Sequence, residues 1–169
     1  KDTPDAKVFT TIDYDNLLAE MDMIVTSTSG AGKSVLDITR VKPGCVITDV
    51  ARPLDLPASE VAKRPDVLVI ESGEIELPTK VHGMKNIGLP NNVIYACLAE
   101  TIVLALEGRF EVFTIGRNTE WEKVKEIYKL GLKHGMKLAA ISGVKGVYTD
   151  KDIAKVVTLA RKARLTWKD

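Results

Sequence analysis

The chain has 169 residues, 45% of them apolar and 28% charged, with 12 glycines and 7 prolines. That mixture fits one globular domain, or one domain with an appendage, and excludes a disordered chain, a collagen and a disulfide scaffold. The 24 basic and 23 acidic side chains leave a net charge of +1, so no broad nucleic-acid-binding surface is expected.

The first ninety residues alternate between strand and helix signals. Residues 7–11 read as a short strand, and residues 13–20 as a short helix with Leu17 and Leu18 inward. Met23, Ile24, Val25 and Thr26 make an apolar strand that opens into Ser27, Thr28, Ser29 and Gly30. A brief helix over 35–40 is stopped by Pro43 and Gly44, and residues 45–50 form the next strand. A short helical piece over 59–63 precedes a strand over 67–70, which ends at Glu71, Ser72 and Gly73. Strands that are apolar throughout belong in a parallel sheet covered on both faces, and their alternation with helices gives the α/β class.

The second half is helical. Pro90, Asn91 and Asn92 signal a helix running to about Glu107 and Gly108. It is apolar nearly all round (Val93, Ile94, Leu98, Ile102, Val103, Leu106), so it is expected to be buried. Thr119 and Glu122 have capping-box spacing and open a helix that ends at His134 and Gly135. Thr149 and Asp152 open a last helix with Ile153, Val156, Val157 and Ala160 at helical spacing.

Two cysteines and two distant histidines do not make a zinc site, and no metal is expected. The longest apolar stretch, 93–106, is broken by Glu100 and falls short of the roughly 20 residues a spanning helix needs. With polar opening residues (Lys1, Asp2, Thr3, Pro4, Asp5), a reducing cytoplasm is the expected compartment.

The run from Ser27 to Ser34 has two functional readings. As a phosphate loop, G-x-x-x-x-G-K-S/T, it has Gly32, Lys33 and Ser34 but Ser27 where the leading glycine belongs; Asp49 would bind magnesium. Ser34 with Asp37 also reads simply as a helix-capping pair. As a dinucleotide fingerprint it has Gly30 and Gly32, then Val35 where a small residue belongs, and Asp49 lies 19 residues beyond Gly30. Ligands of parallel sheets sit at the carboxyl ends of the strands. Thr26 to Ser29, Asp49 to Pro53 (including Ala51), and Ser72 with Gly73 all fall at such ends, although turns are in any case rich in Ser, Gly and Asp.

Cys97 is the candidate nucleophile, because a thiol is the side chain least handicapped in attacking a thioester or aldehyde carbon at neutral pH. The alternative is a small apolar residue in a core. A cap at Asn91 or Asn92 puts Cys97 about a turn and a half into its helix, beyond most dipole help, and Glu100 at i+3 opposes a thiolate. His134, in a last helical turn, offsets the helix dipole, whereas His82 lies in a loop near the strand ends. The last helix carries Lys151, Lys155, Arg161, Lys162, Arg164 and Lys168, a solvated face or a dock for an acidic carrier protein.

The run Leu89-Pro-Asn-Asn-Val-Ile-Tyr-Ala-Cys-Leu-Ala-Glu-Thr-Ile-Val-Leu-Ala-Leu-Glu-Gly108, with Ile115-Gly-Arg-Asn118 and Lys133-His-Gly135, resembles the C-terminal part of the long-chain acyl-(acyl-carrier-protein) reductases. It is also similar to their bacterial relatives, described as amino-acid dehydrogenases or shikimate dehydrogenase-like proteins. Ala19-Glu-Met-Asp-Met-Ile-Val-Thr26 and Lys42-Pro-Gly-Cys-Val-Ile-Thr-Asp49 agree with it. The resemblance covers roughly residues 7 to 140. It implies the second half of an NAD(P)-binding Rossmann domain over 1–90 and a C-terminal helical segment over 91–169.

The same resemblance implies NADP- (or NAD-) dependent reduction of an acyl thioester to an aldehyde, with Cys97 accepting the acyl group. It places Thr26, Ser27, Thr28 and Ser29 beside the nicotinamide, with Asp49, Ala51 and Gly73 framing the pocket. An acyl-carrier protein or small molecule would be the partner. The family's pyrophosphate turn has no counterpart before residue 23, so the chain is expected to be part of a longer enzyme, inactive alone, with an unpaired edge near 23–26 that invites self-association. The alternatives are an amino-acid or shikimate-type dehydrogenase, a phosphate-loop nucleotide hydrolase, and a non-catalytic carrier-docking domain.

Overall fold

β-Branched residues in two short runs build the first ladder. In a computed structural model describing residues 5–30, 32–83, 85–116 and 118–167, β1 (Met23–Thr26) pairs in parallel with β2 (Val46–Asp49), Met23 facing Val46 and Thr26 facing Asp49. Lys1 to Pro4, Ala31, Arg117 and Lys168, which entered the sequence reading, lie outside the described residues. The helical signals after β1 and β2 yield a 3-10 turn, Ile38–Arg40, and one turn of helix, α1 (Ala58–Val61). Then β3 (Leu68–Glu71) joins beside β2, where the Leu68 N–H donates to the Cys45 carbonyl at 3.1 Å.

Three strands in chain order side by side are the α/β pattern of the second half of a Rossmann-type sheet. Leu18, Ile38, Val41, Ile47, Leu56, Val67 and Val69 form the core against it. The expected cover on both faces is missing at β1, where Met23 is 66% and Val25 62% exposed. The reason is position: β1 is the edge strand, and its outer side chains meet no packing element among the described residues. Residues 7–11 form no strand, and Val8 and Phe9 stand in solvent. A strand needs a ladder partner, and none among the described residues offers one. The helix read over 13–20 shortens to a 3-10 turn, Asp15–Leu17.

The chain divides into two compact units. One comprises residues 1–70 and 143–169, and the other residues 71–142. In the second, β4 (Glu74–Glu76) is the middle strand of an antiparallel sheet, between β5 (Val93–Tyr95) and β6 (Lys137–Leu138). That pairing ties Glu74–Glu76 to the strands that flank α2 and α3. α2 (Ala96–Leu106) and α3 (Trp121–Lys133) pack on it around Leu77, Ile94, Ala99, Val103 and Met136.

The chain returns through β7 (Ser142–Gly143), antiparallel to β3, and β8 (Gly146–Val147), and ends in α4 (Asp150–Arg164). The Thr149–Asp152 capping box forms as its spacing predicts. The other one does not: Thr119 Oγ1 donates to the Gly116 carbonyl at 3.2 Å, and Glu120 caps α3 without a side-chain bond. A turn at Gly116 takes the hydroxyl that a capping box would need.

Gly143 marks a close approach. A Cβ there would lie 2.8 Å from the Val69 carbonyl oxygen and 2.5 Å from the Tyr148 hydroxyl, which itself donates to that carbonyl at 2.9 Å. Backbone cannot yield as a long side chain can. Gly143→Ala is therefore expected to lower stability by about 2 kcal/mol, the cost of overpacking, read as a lower urea midpoint.

Candidate active site

In the first unit, β1 ends in a hydroxyl-rich loop. The Thr26 side chain is 5% exposed, and its Oγ1 has no hydrogen-bond partner among the described residues. Ser27 and Ser29 are exposed. Thr28, also exposed, is tied down: its N–H donates to Asp55 Oδ2 at 2.8 Å, its hydroxyl to Asp55 Oδ1 at 2.6 Å, and Thr28 Oγ1 accepts the Gly30 N–H at 3.1 Å. Asp55, fully buried, thus fixes the loop. Sequence reasoning passed over it; its only signal is an Asp between Pro53 and Pro57.

Asp49, at the end of β2, is also buried, and its carboxylate accepts the Ala51 N–H at 3.1 Å and the Leu56 N–H at 2.9 Å. It therefore braces the 50–56 loop from beneath, and Ala51 is buried with it. No helix begins at Ser34. Its hydroxyl donates to the Leu36 carbonyl at 2.8 Å, and the cap is Asp37 alone, which accepts the Thr39 N–H at 3.0 Å and hydroxyl at 2.6 Å. A phosphate loop relies on a helix N-terminus at that position, and the 3-10 turn does not supply one.

In the second unit, Cys97 sits differently from its expected place. Val93, Ile94 and Tyr95 are not helical but pair with β4, as β-branched residues favour. The helix starts at Ala96, so Cys97 is its second residue, in the first turn. The Ala96 N–H donates to the Gly73 carbonyl at 2.7 Å, which ties the start of α2 to the turn before β4. Gly73 makes the turn between β3 and β4 with a φ of 78°, open to glycine at no steric cost. The N–H groups of Cys97 and Leu98 have no intrahelical acceptor, and that end of a helix favours negative charge.

Nor is α2 buried all round. Ala99, Val103 and Leu104 face inward, whereas Cys97, Leu98 and Leu106 are exposed. Glu100 turns to the 110–115 loop, accepting the Thr114 N–H at 3.2 Å and the Thr114 hydroxyl. Two hollows flank α2, of about 420 and 700 Å³, and Cys97 lines both. His82 is exposed, and His134 caps α3 with Nε2 2.6 Å from Glu107 Oε1. Lys133 and His134 beside Glu107 hold that carboxyl below its usual range.

No family model matches the chain. It is 37% identical over 135 residues to Aminotransferase PigE of a Serratia species, a match covering 77% of this chain and 15% of that protein. It is 27% identical over 130 residues to the long-chain acyl-(acyl-carrier-protein) reductase of Synechococcus elongatus, covering 74% of this chain and 38% of that enzyme. The chain thus spans well under half the length of these curated relatives.

The two thiols differ in exposure. Cys45 is fully buried, and burial, with Asp22 nearby, pushes its pKa up to about 11. Cys97 is exposed at a helix start. Iodoacetamide on the folded chain is expected to add one carbamidomethyl group, at Cys97, with Cys45 reacting only after denaturation; intact-mass spectrometry checks this. Among the described residues no cluster of His, Cys, Asp or Glu is arranged to hold a metal, and no helix is long and apolar enough to cross a membrane.

Proposed function

We propose that the chain is the acyl-accepting and nicotinamide-side part of an oxidoreductase that converts an acyl thioester to an aldehyde. The observation that carries this is the exposed Cys97 in the first turn of α2, open to an apolar hollow. The similarity to an acyl-carrier-protein reductase supports it. The name of the Serratia relative belongs to a protein of which the matched part is 15%, so it says little about that part.

In this reading the Cys97 thiolate attacks the thioester carbonyl carbon. A new C–S bond forms to Cys97, the carrier's C–S bond breaks, and the departing carrier thiolate takes a proton from solvent. The N–H groups of the first turn of α2 favour the oxyanion that forms on the carbonyl oxygen. When bound, a nicotinamide cofactor, NADP(H) or NAD(H), would supply the hydride that reduces the acyl carbon. Release of the aldehyde then breaks the bond to Cys97 and restores the thiolate.

The orphaned Thr26 hydroxyl and the exposed Ser27 and Ser29 fit the hydroxyls and amide of a nicotinamide riboside. Thr28 holds their loop, and Asp49 and Ala51 brace the neighbouring one; at Gly73, the remaining residue of the proposed frame, a Cβ would meet nothing within 4 Å. An acyl-carrier protein is the proposed donor, met by the basic residues of α4. The exposed edge of β1, with Met23 and Val25, is the proposed seam for a second copy.

Alkylation tests the reading. Acyl uptake, unlike reduction, needs no cofactor and is expected of this chain alone: with carbamidomethyl on Cys97 it takes up no acyl group from a long-chain acyl thioester, whereas the untreated chain does. Equal acyl uptake before and after quantitative alkylation contradicts it.

A further inference from the structure

α3 carries Gly131 within its length, although glycine is among the poorest helix formers. The end of the helix shows where that glycine falls. The Met136 N–H donates to the Gly131 carbonyl at 3.0 Å and the Gly135 N–H to the Leu132 carbonyl at 2.9 Å, with Gly135 at a φ of 75°. This is a Schellman closure, in which an apolar side chain at the place of Gly131 commonly packs on the residue at the place of Met136. Here there is no such side chain, and a Cβ on Gly131 would meet nothing within 4 Å.

The vacated space belongs to the hollow of about 420 Å³ between α2 and α3, a volume typical of ligand pockets. Its lining is apolar, with Ile75, Val103, Ile127 and Leu132 among the side chains, and Cys97 lines it too. Only Glu100 and Lys137 bring charge, and the Glu100 carboxylate is held by Thr114. From Val124 to Leu132 the lining follows eight steps of α3, about 12 Å. A zigzag hydrocarbon advances roughly 1.3 Å per bond, so about ten carbons run that length.

We infer that this hollow receives the hydrocarbon chain of the acyl group taken up by Cys97, and that Gly131 sets how much chain it admits. The inference rests on the acyl-transfer reading above, and the chemistry it calls for is an unbranched acyl chain of about ten carbons. A side chain at position 131 would project into the space the chain fills, without disturbing the helix that bears it.

N-alkylmaleimides with ethyl, octyl and dodecyl chains test this on the full chain, because they report the chain's fit at Cys97 independently of thioester chemistry. The rate of Cys97 modification is expected to rise at least about tenfold from ethyl to dodecyl, since each buried methylene adds to encounter-complex stability. In Gly131→Leu the gradient is expected to fall to within about twofold, with the ethyl rate unchanged. Gly131→Ala, which favours the helix and so keeps the fold, is expected to give an intermediate gradient. Flat rates across the three chains in the wild-type protein, or an unchanged gradient in either variant, overturn the inference. Failure of the acyl-transfer reading would show separately, as no adduct from any acyl thioester on the wild-type chain.

Discussion

Cys97→Ser is expected to slow acyl uptake from a thioester donor by at least about a thousandfold, because a serine hydroxyl lacks both the thiolate and a neighbouring base to activate it. His82 lies in an exposed loop and His134 pairs with Glu107 at the far end of α2, so no histidine is engaged with position 97. The substitution replaces sulfur by oxygen on an exposed residue, so stability should stay within about 0.5 kcal/mol of the wild type. Stopped-time intact-mass measurements give the rate, and urea unfolding gives the control. A serine variant that accepts acyl groups at a rate within tenfold of the wild type would contradict a nucleophilic role for Cys97.

Asp55→Ala is expected to cost about 3 kcal/mol of stability. The carboxylate is fully buried and takes two hydrogen bonds from Thr28. Hydrogen bonds to a charged group contribute about 1.5–3 kcal/mol each, and truncation leaves the Thr28 N–H without its partner. Asp55→Asn keeps one acceptor oxygen and is expected to cost about half as much. A double-mutant cycle with Thr28→Ala separates the shared bond from the rest, and a coupling of about 1 kcal/mol or more is expected. Unfolding midpoints for the four proteins check this. A cost below about 0.5 kcal/mol for Asp55→Ala would mean that the loop after β1 is held by something else.

The strands over 23–26, 46–49 and 68–71 were legible because each is a short apolar run bounded by turn residues. The start of α4 was legible because its capping signal is local: Thr149 and Asp152 satisfy each other. What went unread depends on partners distant in sequence. Val93 to Tyr95 are apolar on both sides, a pattern that helix and strand share, and only pairing with β4 decides it. That decision moves Cys97 from mid-helix to the first turn and from a buried to an exposed position. Asp55 was invisible for the same reason, since its partner Thr28 is 27 residues away. Gly131 reads as an imperfection in a helical pattern until the hollow beside it is seen. Residues 7–11 illustrate the converse, a strand-like composition with no ladder to join.

Peptide mapping of the chain after incubation with a long-chain acyl thioester tests the central claim most directly. The predicted result is one acyl group on the peptide containing Cys97, released by neutral hydroxylamine as a thioester is. An acyl group on Cys45 or on lysine with none on Cys97, or no acyl group at all, would contradict it.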